Sequence, residues 1–297
     1  MSLRDLALLI LVCAIWAASN VVSKLVISGL GAPPLFFAAA RFAIVTLVTA
    51  RWLLPPPGPI WRLVVVGLLM GGGTFALLFI GLQTASPSAA AIVGQLGAPL
   101  TTLLSIVFLG ERIGWRRGLG IVLTLAGALV VMWDPAGFRP SAGLLFVAAS
   151  ALAGSVGAVM LKQMEGVKPL QFQAWVGFSS LWPIAAASLV MEKGQMAVIA
   201  DHGWLLLAGV LFTSLVVSVV AHTTYYGLIQ RHEATLLQPL TLMTPLGTIA
   251  LGVAITHDAF GPRMALGSAV ALAGVLIIAL RPNHVAPLLL ALRSRAQ

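Results

Sequence analysis

Ten apolar runs, each ended by proline, glycine or charge, decide what this chain can fold into. They lie at 6–28, 33–50, 62–82, 86–109, 113–132, 142–163, 169–190, 203–229, 233–256 and 262–280. A run of about 20 apolar residues crosses the roughly 30 Å hydrocarbon core of a bilayer as a helix. The joints read RWLLPPPGPIWR, GERIGWRRG, WDPAGFRPS, MEGVKP and MEKGQ. Lipid offers the backbone no hydrogen-bond partner, so every run is expected to be helical. Composition agrees: 60% of residues are hydrophobic and 8% charged, against roughly 25% charged in a soluble domain. A water-soluble chain of this length has no means of hiding so much apolar surface. The fold class is therefore an all-α integral membrane protein of ten transmembrane helices.

The net charge of +9 comes from basic residues scattered singly or in pairs between apolar runs, with no nucleic-acid-binding motif among them. Nucleic acid is not an expected partner; the cytoplasmic face of a membrane accounts for the excess. With the N-terminus inside, the inner side holds Arg4, Arg51, Arg62, Arg112, Arg116, Arg117, Lys162, Lys168, Arg231, Arg281, Arg293 and Arg295. The outer side holds only Arg139, Lys193 and Arg263. That asymmetry puts both termini in the cytoplasm of a cell whose inner membrane holds the chain. The opening MSLRDLALLILVCAIWAAS imitates a secretory signal, but its apolar pattern continues past the small residues and reads as an uncleaved first span. The single cysteine, Cys13, excludes an internal disulfide.

The two halves look alike. GERIGWRRGLGIVLTLAGALVV at 110–131 aligns with HDAFGPRMALGSAVALAGVLII at 257–278, which sets Glu111 over Asp258, Gly120 over Gly267 and Gly127 over Gly274. Upstream, Pro99 matches Pro245 and Lys24 roughly matches Lys162. The expected division is a first repeat over 1–137 and a second over 138–297, the latter ending in a short basic tail. Five spans is an odd number, so the second repeat is expected upside down relative to the first. That is the inverted-repeat arrangement in which two halves rock about a mid-membrane site.

Polar residues interrupt the apolar runs in stripes. In CAIWAASNVVSK, Trp16, Asn20 and Ser23/Lys24 share one helix face. Span eight carries Ser214, Ser218, His222 and Tyr225/Tyr226 at helical spacing; span nine carries Gln238, Thr241, Thr244 and Thr248. Span four carries Ser88, Gln95, Pro99, Thr102 and Ser105. Polar groups in hydrocarbon cost free energy unless they line a wet cavity or bond one another. Ser and Thr also bond their own carbonyls four residues back, which explains any one of them singly. Pro99, Pro239 and Pro245 each remove a backbone donor and loosen a helix at mid-membrane. Arg41 stands about two turns into span two, where a guanidinium requires an anion or carbonyls: a substrate carboxylate and a structural carbonyl are both open. Lys24 ends its face at the outer mouth, and Glu111 and Asp258 at span ends read as anchors for gates. The aromatics Trp16, Phe75, Phe79, Trp175 and Tyr226 sit within spans. Beside the polar stripes they outline a cavity for an amphipathic molecule with an apolar side chain.

Trp16 and Lys24, Pro33/Pro34 followed by Arg41, Pro99 then Glu111, and the glycines of GLGIVLTLAG with their second-half echoes together give the chain a family likeness. Over nearly its whole length it resembles the EamA-type transporters of the drug/metabolite transporter superfamily. It departs from them at Ala17 and Ala18, where a Gly is common, and at Asp258, where the acid is Glu. The resemblance implies ten helices in two five-helix repeats and export of metabolites or amino acids, and the branch it favours is that of the YddG-like amino acid exporters. The expected substrate-binding residues are Trp16, Asn20, Arg41, Phe75, Phe79, Gln95, Trp175, Ser218, His222, Tyr226, Gln238, Thr241 and Thr244. Pro99, Pro245, Glu111 and Asp258 are the expected gate or hinge residues.

Other activities fit less well. An intramembrane enzyme needs a nucleophile with its base, an acidic pair or a metal cluster; AGSVGA is no nucleophile elbow and no HExxH occurs. Nucleotide sugars and phosphates want two or more cations at midplane, where Arg41 alone qualifies. Extrusion of cationic drugs wants an embedded Glu on span one, which is absent. The expected protein is a monomeric exporter with a small-molecule substrate and lipid as its partners, and with no cofactor and no metal. His222 is the only mid-span group that titrates near neutrality; desolvation keeps it neutral, so concentration-driven transport is expected over obligatory proton exchange.

Overall fold

The computed structural model describes residues 2–110, 113–134, 139–164, 166–232, 237 and 240–279. Among them nine helices are long and apolar enough to cross a membrane: α1 Leu3–Gly29, α2 Pro34–Trp52, α3 Ile60–Leu82, α4 Pro87–Leu109, α5 Trp115–Met132, α6 Ala142–Leu161, α7 Pro169–Met191, α8 Gln195–Leu228 and α10 Pro262–Ala279. A tenth apolar helix, α9 Met243–Ile255, is shorter. The ends follow local rules. Ser2 accepts the Asp5 N–H and Ser86 the Ala89 N–H as N-caps. Pro34, Pro87 and Pro169 occupy the first helical positions, where the missing N–H is not needed. Gly110 stops α4 with φ of 66°, a left-handed turn that glycine adopts freely. Helix α8 starts eight residues before the expected 203, because a short lead-in joins it through a kink at His202 (φ −135°, ψ 22°).

Prolines shape the fourth helix and its second-half counterpart in the same way. Pro99 has no N–H for the Gln95 carbonyl, which accepts instead from Ala98 N at 3.1 Å. The chain turns there, at Gln95–Leu96, and resumes as the 13-residue helix Gly97–Leu109. Pro245 leaves the Thr241 carbonyl to Thr244 N at 2.9 Å. The chain turns at Thr241–Leu242 and resumes as α9, also 13 residues. The expected span 233–256 is thus interrupted. Pro239 and Gln238 lie outside the described residues, as does Glu111.

The packing keeps its pattern when each helix is exchanged for the one five places along. Helix α5 packs on α10 and α2 on α7; α1 packs on α9 as α6 does on α4; α3 packs on α6 and α7 as α8 does on α1 and α2. The α5–α10 seam is closed by glycine. A Cβ at Gly120 would lie 2.7 Å from the Gly274 carbonyl oxygen, and one at Gly127 2.6 Å from that of Gly267. The pairing order is reversed along the chain, so α5 and α10 cross antiparallel. Between α5 and α6 a two-residue antiparallel ladder pairs Trp133 with Pro140 and Asp134 with Arg139. Leu47, Val107, Leu189 and Val190 are exposed on the outside of the bundle, where lipid would meet them. Phe37, Phe42, Phe79 and Ile92 fill its centre.

Candidate functional site

The centre of the bundle is built on helices that are not regular. Leu68–Gly73 in α3 and Phe212–His222 in α8, the third helix of each half, are wound as π-helix. The expectation of an ordinary helical stripe in span eight is corrected here. Wide turns stretch the backbone ladder to carbonyls five residues back, and the polar side chains follow. Ser218 Oγ donates to the Thr213 carbonyl at 3.0 Å, and His222 Nδ1 lies 2.7 Å from the Val217 carbonyl. Ser214 bonds the Val210 carbonyl four residues back. A neutral ring that donates through Nδ1 leaves Nε2 as an acceptor.

Between α3, α6, α7 and α8 lies a cavity of about 170 Å³, walled by Met70, Thr74, Phe75, Gly154, Gln173, Val176, His222 and Tyr226. Its aromatic rings form a connected set. Phe75 meets His222 edge-on at 6.1 Å, and His222 lies 6.3 Å from Tyr226, which meets Phe172 at 5.7 Å. Trp16 covers His222 at 5.4 Å and Tyr225 at 4.9 Å, with its Nε1 buried and, among the described residues, unpartnered. Gln173 on α7 is buried and adds a side-chain amide to the same wall.

Behind Phe75 sits Arg41, fully buried at 0% exposure. Its Nε donates to Ser218 Oγ at 3.0 Å, and its Cζ lies 3.7 Å from the Phe75 ring centroid. Nη1 and Nη2 are buried with no hydrogen-bond partner among the described residues. Phe79 packs behind this group, 5.0 Å from Phe37 and 6.0 Å from Phe75.

Of the residues singled out by sequence, the structure therefore joins Trp16, Arg41, Phe75, Phe79, Ser218, His222 and Tyr226 in one cluster. Others stand elsewhere. Asn20 Nδ2 reaches Thr248 Oγ1 at 3.4 Å, across the α1–α9 seam. Trp175 packs on Phe178 at 5.9 Å, away from the cavity wall. Gln95 marks the turn in α4, Thr241 the matching turn before α9, and Thr244 follows it; none of the three lines the cavity. Thr74, Met70 and Gln173 were missed, since each is a lone residue in an apolar or mixed run with no stripe to flag it.

The helix ends carry the charged contacts. Asp258 Oδ2 accepts the Ser88 N–H at 2.9 Å and Oδ1 the Thr256 hydroxyl at 2.7 Å, so this acid from the second half caps α4 in the first. Glu192, expected on the outer side but not among the expected gate residues, accepts the N–H groups of Leu35 and Phe36 at 2.8 Å each, at the start of α2. Lys24 Nζ donates to the Leu82 carbonyl at 2.8 Å at the end of α3, and Ser28 Oγ donates there too. At the other end of the bundle, Asp5 Oδ2 lies 2.9 Å from His232 Nε2. Asp5 Oδ1 lies 3.8 Å from Arg231 Nη1.

A bundle of apolar helices tied near both ends by polar contacts, with a cavity among them, is the build of a membrane transporter. The EamA-like transporter family matches residues 4–133 and again 141–280, and the chain belongs to that family. It is similar to a protein of Escherichia coli (strain K12) named "Probable amino-acid metabolite efflux pump", at 24% identity over 93% of this chain and 95% of the relative. The protein of the same name in Salmonella typhimurium is 25% identical over the same shares. "Protein PecM" of Dickeya dadantii is 23% identical over 76% of this chain and 75% of its own. A solved crystal structure superposes with a TM-score of 0.60 at 21% identity, covering 93% of this chain and 96% of that one, and shares the fold. The chain is a transporter and not an enzyme.

Proposed function

We propose that this protein exports small amphipathic metabolites, chiefly amino acids, aromatic and other hydrophobic ones included, across the cell inner membrane. Two repeats, 1–137 and 138–297, stand inverted to one another and rock about the central cavity, opening it to each side in turn. Both termini are cytoplasmic, the protein acts as a monomer, and transport runs down the substrate gradient. The observation that carries this reading is the cavity wall. Phe75, Tyr226, Met70 and Val176 give it an apolar side, while Thr74, Gln173 and His222 supply the few polar groups that orient a ligand. The names of the relatives in Escherichia coli and Salmonella typhimurium support amino acids as the class. The cation behind the wall is the single guanidinium of Arg41, which suits one carboxylate better than a phosphate group.

Counterflow in purified proteoliposomes tests it. Vesicles preloaded with L-phenylalanine or L-leucine are expected to take up the labelled amino acid with no imposed pH gradient and to do so equally with an ionophore present. Exchange of a nucleotide sugar with no exchange of hydrophobic amino acids would overturn the reading. Accumulation of amino acid driven by an imposed pH step and lost in His222→Gln would overturn the concentration-driven mode.

A further inference from the structure

A buried arginine normally spends its guanidinium on a carboxylate or a ring of carbonyls. Arg41 does neither. Its Nε is held by Ser218 Oγ, no acidic side chain among the described residues pairs with it, and both Nη atoms are buried and empty-handed. What it has in place of an anion is the face of Phe75, 3.7 Å away. Phe75 is also a wall of the central cavity, so the ring that this desolvated, unpaired cation leans on also borders the space where a ligand would sit.

Resting on the transport reading above, we infer that Arg41 is the carboxylate subsite, and that Phe75 is the plate on which its guanidinium waits between substrates. Nε fixed by Ser218 aims the remaining fork of Nη1 and Nη2, the geometry that takes a carboxylate through two parallel hydrogen bonds. When the Phe75 ring moves aside, a carboxylate entering the cavity replaces the aromatic face as the partner. The cation stays compensated throughout, by the ring quadrupole when empty and by the substrate anion when loaded. A free carboxylate is then the required feature of a substrate, and an amino group is not.

The test is competition for labelled L-phenylalanine counterflow by the full-length protein in proteoliposomes. Phenylpropionate keeps the carboxylate and lacks the amine; L-phenylalaninamide and phenethylamine keep the amine and lack the carboxylate. Unlabelled L-phenylalanine and phenylpropionate are expected to compete, and the two amines to compete at least about tenfold more weakly. A lost hydrogen bond to a charged group amounts to roughly 10- to 150-fold in affinity. Arg41→Gln is expected to raise the half-inhibitory concentration of L-phenylalanine by that factor and to erase the preference for carboxylates, and Arg41→Lys to restore part of both. The ranking of competitors on the unaltered protein needs no variant, so it decides even if Arg41→Gln fails to fold. Equal competition by acids and amines in a protein that exchanges L-phenylalanine overturns the carboxylate subsite and leaves the transport reading standing. A folded protein that exchanges no hydrophobic amino acid overturns both.

Discussion

Arg41 and His222 are costly residues to bury, and the contacts around them show two different compensations. The guanidinium keeps its charge and leans on Phe75, with one hydrogen bond among the described residues, to Ser218. The imidazole gives its Nδ1 to the Val217 carbonyl, which the wide turn of α8 leaves within reach, and packs between Trp16, Phe75 and Tyr226. Its second nitrogen is the part that a ligand in the cavity can use. A hydrogen bond to a charged substrate group contributes about 1.5–3 kcal/mol, or roughly 10- to 150-fold in affinity. His222→Ala is therefore expected to lower affinity for L-phenylalanine by that factor in counterflow while the purified protein keeps its elution volume and helical content. Wild-type affinity in this variant would make the ring a packing residue only. The stripe in span eight was legible because Ser218 and His222 stand out in an apolar run. Thr74 and Gln173 were not, because a single polar residue carries no periodicity.

At the scale of the helix, glycine and proline do separate jobs. Pro99 and Pro245 break two matched helices by withdrawing one donor each, and the resulting turns at Gln95–Leu96 and Thr241–Leu242 sit in corresponding positions. The glycines of α5 and α10 instead let two backbones touch. In lipid there is little hydrophobic gain in bringing helices together, so close backbone approach is what dispersion needs. A Cβ at Gly127 would meet the Ala271 nitrogen and the Gly267 carbonyl oxygen, both backbone atoms that cannot swing away, whereas one at Gly118 of the same helix has nothing within 4 Å. Gly127→Val is expected to destabilise by about 3 kcal/mol or more and to lower the thermal transition in detergent by several degrees at least. Gly118→Val should leave the transition nearly unmoved. Equal behaviour of the two variants would remove the α5–α10 seam from the account.

The whole molecule is held at its two ends by groups that cross between the halves. Glu192 and Asp258 cap α2 and α4 near one end, and Asp5 meets His232 and Arg231 near the other. The proposed topology assigns the first set to the outside and the second to the cytoplasm. In a Cys13→Ala background, Arg4→Cys and Lys193→Cys, both at exposed positions, are expected to react with an impermeant maleimide from opposite sides of the membrane. Labelling of both from the same side would end the inverted ten-helix topology.

The sequence by itself determined the membrane class, nearly every helix, the matched prolines and the matched glycines. Each of these is local: a backbone in hydrocarbon must satisfy its own hydrogen bonds, so apolar length alone specifies a helix, and a missing N–H breaks it wherever the proline falls. What only the tertiary structure decided is which faces meet. Arg41 and Ser218 are 177 positions apart, and nothing in either helix announces the other. Asn20 lies on the same face of α1 as Trp16, yet it bonds Thr248 at a seam while Trp16 covers His222 beside the cavity. A lipid-facing and a bundle-facing apolar side chain are chemically the same, so the pattern that reveals a soluble core is mute here. The π-helical turns of Phe212–His222, which hold His222 at the cavity, are likewise visible only in the structure, and no residue in that stretch spells them out.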